Sequence, residues 1–272
     1  MGIRYDHPDT GAHVPNYVGK SDAMKSFRTR TALSAAAIVC AGAAHAAVID
    51  FENVDASGAP FAPILASGDF LTQGGFNIQG FDGNGGSGLV GALVNGSDPG
   101  TCLDGNCPLG NTSNYYASVD TGAVYIDANG GQLILQSFDA AFLAPKGGVP
   151  AGAFGLLAVE ADRADGSYSI GAYVLNGPDP AGHTSFQTYL GSNAIYGLFG
   201  GSTGTLSSGD VVDLQMFEFY CSSSSLGSCT LDHSNRGQFA LDNVTSVPEP
   251  SPWLLMGLGL AAVGSLARRR SL

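Results

Sequence analysis

The middle of this 272-residue chain is nearly empty of positive charge. Between Ala47 and Val247 the basic side chains are Lys146, Arg163 and Arg236, set against nineteen Asp and Glu. So few cations cannot neutralise a run of phosphates, and nucleic acid is not an expected partner. Histidine is as scarce, with His183 and His233 alone in that region. H-E-x-x-H does not occur, and the G-x-S-x-G spacing, met once at 200–204 in "GGSTG", is followed by the turn-like "TLSSGD" and not by the helix that a nucleophile elbow needs. Asp232-His233-Ser234 sets three triad residue types in a row, but neighbours on a strand point to opposite faces and form no relay. A serine or zinc hydrolase is therefore not expected. Charged residues of both signs make up only 12%, which argues against helices laced by surface ion pairs.

What the chain does hold is glycine and aromatic residues: 40 Gly, 14 Phe and 10 Tyr. Short segments of period-two alternation bounded by turns recur from Ala47 to Ser246. They are residues 47–51, 76–80, 88–94, 123–128, 131–144, 154–162, 167–175, 185–191, 211–220 and 237–247. Asp165-Gly166 between two of them is a hairpin turn, and the slip of alternation at Val212, Leu214, Met216 and Phe217 suggests a bulge or a strand buried on both faces. About ten strands in 200 residues predict an all-β fold, a β-sandwich, as the single passenger domain, residues 47–246.

Both ends read as addresses. From Met24, Lys25, Arg28 and Arg30 precede an apolar run at 32–44 and the small-residue site Ala44-His45-Ala46. That order marks residues 24–46 as a secretory signal peptide for signal peptidase, with the mature chain starting at Ala47. Residues 1–23 then read as an upstream mis-start. Cys40 lies inside the signal, and Val39 before it is a poor match to a lipidation site. Four cysteines remain, Cys102, Cys107, Cys221 and Cys229, and an oxidising destination favours two disulfides. Local pairing is the simplest of three connectivities. At the other end, Trp253 to Ala267 is 15 residues long. At ~1.5 Å per residue it covers about 22 Å of a ~30 Å hydrocarbon core, and Arg268, Arg269 and Arg270 after it would stay on the cytoplasmic side. Such a segment suits transient insertion in the inner membrane.

Pro248-Glu249-Pro250, a short apolar run and a terminal arginine cluster together resemble the PEP-CTERM sorting signal of exported bacterial proteins. The resemblance covers residues 247–272. It implies recognition by an integral-membrane exosortase and delivery to the cell envelope or exopolysaccharide matrix. The same tail module also carries the name of an ice-binding protein C-terminal domain, and no ice binding is inferred from it.

Inside the passenger, the opening "VIDFENV" and the closing "GQFALDNVTSV" are similar to PEP-CTERM passengers marked by Gln-Phe-x-x-Asp, here Gln238, Phe239 and Asp242. They also resemble carbohydrate-binding modules of the jelly-roll type. That likeness makes the expected fold a jelly-roll-like β-sandwich and implies a structural calcium held by Glu52 and Asp242, with Asn243 as a further ligand. The residues alone leave equally open that Asp242-Asn243 caps a turn and Glu52 is solvated. The glycine-rich loops at 81–88 and 96–107 read as solvated turns. Tyr115, Tyr116, Tyr125, Tyr173 and Tyr189 are candidate stacking faces for a polysaccharide. Glu160 and Glu218 on strands keep a jelly-roll glycoside hydrolase open as the alternative to a non-catalytic passenger.

Overall fold

In the computed structural model the chain divides into two units, residues 1–42 and 43–272. The structure describes residues 46–246 apart from 84, 103–106, 121, 146–147, 200–203, 209 and 232–237, together with Gly257 and Leu260. Outside the described residues lie the signal peptide with Cys40, the run Asp232-His233-Ser234, the motif Pro248-Glu249-Pro250 and the arginines 268–270. Among the described residues no helix is long and apolar enough to cross a membrane.

The described unit is all-β. Its strands are β1 (Ala47–Ile49), β2 (Asp55–Gly58), β3 (Ile64–Ala66), β4 (Phe70–Gln73), β5 (Phe76–Asp82), β6 (Leu89–Asn95), β7 (Asn114–Ser118) and β8 (Gly122–Asp127). They continue as β9 (Leu135–Leu143), β10 (Phe154–Arg163), β11 (Tyr168–Leu175), β12 (Gln187–Leu190), β13 (Ile195–Tyr196), β14 (Val211–Cys221), β15 (Cys229–Thr230) and β16 (Gln238–Ser246). Each of the ten sequence-predicted segments overlaps one of these strands. One sheet has the order β12-β9-β16-β7-β6-β3 with β1 added on β16, and the other β13-β11-β10-β14-β8-β5-β4-β2 with β15 added on β14. All strand pairs within the two sheets are antiparallel.

Alternation explains why the sheets face each other. Phe138, Phe142, Tyr116, Phe239 and Leu241 from the seven-stranded sheet meet Ile78, Ile126, Leu157, Val159, Leu214 and Met216 from the nine-stranded one, all buried in one core. The hairpin expected at Asp165-Gly166 joins β10 to β11. Gly166 takes φ +81°, its N–H donates to the Arg163 carbonyl at 2.9 Å, and Asp165 Oδ1 accepts from the Ser167 amide. Met216 and Phe217 keep unbroken register with Val159 and Ala158, so no bulge lies at the expected slip; the irregularity of β14 is at its start. The register with β10 shifts beside Asp162 and Arg163, so Val211 and Leu214 both face the core.

The outer face of the seven-stranded sheet is partly roofed. Tyr115, Ala117, Ala141, Leu143 and Ala240 form a second small core there, against Phe186 and Cys107. The roof is two loop segments tied by Leu109 N–H to Thr184 O at 2.8 Å and Phe186 N–H to Leu109 O at 2.9 Å. Cysteines pair as the local scheme has it, Cys102 with Cys107 and Cys221 with Cys229. The second bond joins β14 to β15 in register.

Candidate functional site

The nine-stranded sheet presents two cross-strand rows of polar and aromatic side chains on its outer face. One runs Tyr168, Asp162, Asp213, Asp127, Asn77, Thr72, each opposite the next. The other runs Ile170, Glu160, Gln215, Tyr125, Gln79, Phe70. Both lie outside because their neighbours along the strands, Val159, Ala161, Leu214, Met216, Val124, Ile126 and Ile78, point into the core. With strands ~4.8 Å apart, six strands carry a row of about 24 Å. Phe217 and Phe219 continue this face along β14, their rings 5.7 Å apart, and Phe199 stacks on Phe219 at 4.8 Å.

Carboxyl groups crowd the centre of this face. Gln215 Nε2 donates to Asp162 Oδ2 at 3.0 Å. Partial burial, and then the hydrogen bond with Asp162, push the Asp213 carboxyl up to about 6. Burial and the charges of Asp162 and Asp213 raise Glu160 as well, while burial and Asp213 push the Tyr125 phenol up to about 12. A carboxyl whose folded value is raised contributes full stability below its unfolded value and loses it as pH rises through the folded value. For Asp213 the loss falls between pH 3.8 and about 6. Asp213→Asn is therefore expected to match the parent at pH 3.5 and to exceed it at pH 7.5 by about 1 kcal/mol, after discounting for solvent screening. Urea titrations at the two pH values measure it, and equal stability at pH 7.5 would refute it.

The sequence-predicted site residues are distributed differently from expectation. Among the five tyrosines, Tyr125 alone stands on this open face. Tyr115, Tyr116 and Tyr173 are buried, and Tyr189 is half-buried with its hydroxyl on Val174 O at 2.9 Å. They close the two cores and offer no stacking surface. Glu160 and Glu218 lie on opposite faces of one sheet, since Gln215 opposite Glu160 points out while Met216 and Tyr220 flank an inward Glu218. Two carboxyl groups so placed cannot flank one glycosidic bond. Glu218 is 4% exposed, neither of its oxygens has a hydrogen-bond partner among the described residues, and burial raises it well above the ordinary glutamate value. His183 is exposed beside Asp179.

Glu52 and Asp242 converge on one segment, residues 111–114. Asp242 is fully buried; its Oδ2 accepts from Asn111 Nδ2 at 2.7 Å and Ser113 Oγ at 2.8 Å, and its Oδ1 from the Asn243 amide at 2.7 Å. Glu52 accepts from the amide and side chain of Asn114 at 2.8 and 3.2 Å. Calcium needs six to eight oxygens with their lone pairs turned inward. Here Asp242 accepts at both oxygens from Asn111, Ser113 and Asn243, and Glu52 accepts from Asn114, so N–H and O–H donors stand where that ion would need further oxygens. Among the described residues, no three His, Cys, Asp or Glu side chains gather to hold a metal. The Gln-Phe-x-x-Asp spacing gains a physical sense instead. Phe239 enters the main core, and Asp242, an odd number of positions on, faces the other way and pins the 111–114 segment.

Away from these rows, a pocket of about 560 Å³ lies between residues 144–153 and 178–182, lined mainly by Ala, Gly and Pro with Asp179 as the charged side chain. It has too few convergent polar groups to suggest chemistry.

Comparison with known proteins bears on the tail. Residues 246–271 match the family described as the PEP-CTERM protein-sorting motif. No curated protein matches the chain. Among solved structures, the chain is similar to a DUF4465 family protein from Bacteroides caccae, at 15% identity and a TM-score of 0.44, over 75% of this chain and 100% of that one.

Proposed function

We propose that this is a non-catalytic passenger, exported by its signal peptide, sorted by exosortase to the envelope or exopolysaccharide matrix, and binding glycan there on the outer face of its nine-stranded sheet. The sorting half is supported by the match at residues 246–271, which implies an exported, envelope-associated protein. The glycan half is supported by one observation above the others: Glu160, Gln215, Tyr125 and Gln79 in a half-exposed row, with Phe217 beside it. Flat rings stack on sugar faces, and amides and carboxylates flanking them hydrogen-bond to hydroxyls. The resemblance of the domain ends to jelly-roll carbohydrate-binding modules points the same way.

The test is retention on insoluble polysaccharides, the organism's own exopolysaccharide included. Tyr125→Ala is expected to lower retention about tenfold, by loss of one stacking face, while the exposed Leu226→Ala leaves it unchanged. Addition of calcium or chelator is expected to alter neither retention nor melting temperature. If no polysaccharide is retained by the parent protein, the glycan assignment fails. A calcium-dependent melting temperature would return a cation to the Glu52 and Asp242 pair.

A further inference from the structure

Both addressing segments join the sandwich at one corner. Ala47, the expected first residue of the mature chain, is paired with Ser246, the last residue of β16, and Pro248 follows two positions later. Antiparallel pairing continues through Val48 with Thr245 and Ile49 with Val244. Ile49, Val244 and Ser246 are buried, so the chain is fixed in the sheet up to the edge of the sorting motif.

The tether that remains is short. Six residues, 247–252, separate Ser246 from Trp253, and seven virtual bonds of at most ~3.6 Å reach about 25 Å. A domain of this size has a radius of gyration of about 16 Å and is thus about 40 Å across. Held on so short a leash, the sandwich cannot turn its far side to the bilayer; the corner of β1 and β16 must face it.

That corner presents a distinct surface. On the outer face of the seven-stranded sheet, Val48 pairs with Thr245, Thr245 with Ser137, and Ser137 with Leu190, one row across four strands. The row is uncharged. Val48 and Leu190 at its two ends are 41% and 46% exposed, and the two hydroxyl residues between them are half-buried. Val48 and Leu190 thus stand about 14 Å apart across three strand spacings, at the place where the tether confines contact.

We propose that the row Val48, Thr245, Ser137 and Leu190 is where the membrane-embedded sorting protease seats the folded passenger while it cuts the tail. The proposal rests on the sorting function assigned to residues 247–272, and adds that the folded domain is part of what the enzyme meets.

The experiment follows tail removal from the full chain in cells carrying a tagged exosortase. Val48→Glu combined with Leu190→Glu is expected to slow removal about tenfold, as loss of two apolar contacts would. Leu226→Glu, in the turn that joins β14 to β15 of the other sheet, leaves the rate unchanged. Insertion of twelve Gly and Ser residues after Ser246 adds a coil of about 20 Å and is expected to abolish the difference between the double variant and the parent. A photo-cross-linking residue at position 190 is expected to capture the tagged protease. Removal of the tail from the double variant at the parent rate overturns the proposal, as does a defect that persists with the spacer or a cross-link confined to lipid. If the parent chain itself is not cut, the sorting function falls first and the docking row with it.

Discussion

Arg163→Ala is expected to lower the unfolding free energy by about 3 kcal/mol, the loss seen when one partner of a buried charged network is removed. Arg163 closes β10 and its side chain is 4% exposed. Its Nε donates to Ser208 Oγ and Asp210 Oδ1, both at 3.1 Å, and Nη2 donates to Ser169 Oγ at 2.6 Å, Ser208 Oγ at 2.9 Å and Thr205 O at 3.1 Å. One guanidinium thus staples the 204–210 segment to the end of the sandwich. Alanine would leave the Thr205 carbonyl without that donor and open a void the size of the side chain. Asp210 is 57% exposed, so its charge returns to water, which holds the loss nearer 3 than 5 kcal/mol. Lysine cannot restore a fork of this shape, and Arg163→Lys is expected to recover less than half of the deficit. Urea titration measures both, and a parent-like midpoint for Arg163→Ala would show the network to be ornamental.

Glu218→Met has the opposite sign. Glu218 lies between the sheets over Gly155, so close that a β-carbon at Gly155 would overlap its carboxyl and the Phe142 ring. Neither carboxyl oxygen has a hydrogen-bond partner among the described residues, and each unsatisfied buried polar group costs about 1 to 3 kcal/mol. Methionine keeps the length and removes the polar atoms, and is expected to stabilise the fold by about 2 kcal/mol at pH 7. The pH dependence supplies a second readout. Burial raises the Glu218 carboxyl above its usual 4.5, so its protonated form favours the folded state. That stability is complete below pH 4.5 and declines as pH rises toward the raised value. The parent should therefore weaken from pH 4 to pH 8 by more than the Glu218→Met variant does. A variant less stable than the parent at pH 8 would mean that the carboxyl has a partner worth keeping.

These two residues also show where sequence pattern stops. Alternation located ten strands because each has a clear inward set; β14 shows Leu214, Met216 and Tyr220 at every second position. The same count would have turned Glu218 inward, yet a carboxyl on a strand reads as solvent-facing, and chemistry overrode period. β7 escaped for a different reason. Tyr115 and Tyr116 both face cores, one under the loop roof and one between the sheets, so no alternation survives in "NYYAS". β2, β3, β4, β13 and β15 have two to four residues each, too short for a period to declare itself. The outer-face rows of the nine-stranded sheet were beyond reach in principle. Asp162, Asp213 and Asp127, or Gln215 and Tyr125, are far apart in the chain, and only strand register makes them neighbours. Conversely, the sorting tail is legible from a few residues because its signal lies in order and spacing along the chain.

The inward turn of Arg163 has a further consequence. It is the only lysine or arginine among the described residues, and its charge is enclosed. The described exterior therefore carries charge of one sign. In colloidal terms the passenger is a negative particle that repels its own copies and any polyanionic gel around it, over a range of about 10 Å at 0.1 M salt. Such a particle stays dispersed in a hydrated matrix and penetrates it more readily as salt rises. For a polyanionic matrix the long-range field would work against retention, so the proposed binding would have to act at contact distance.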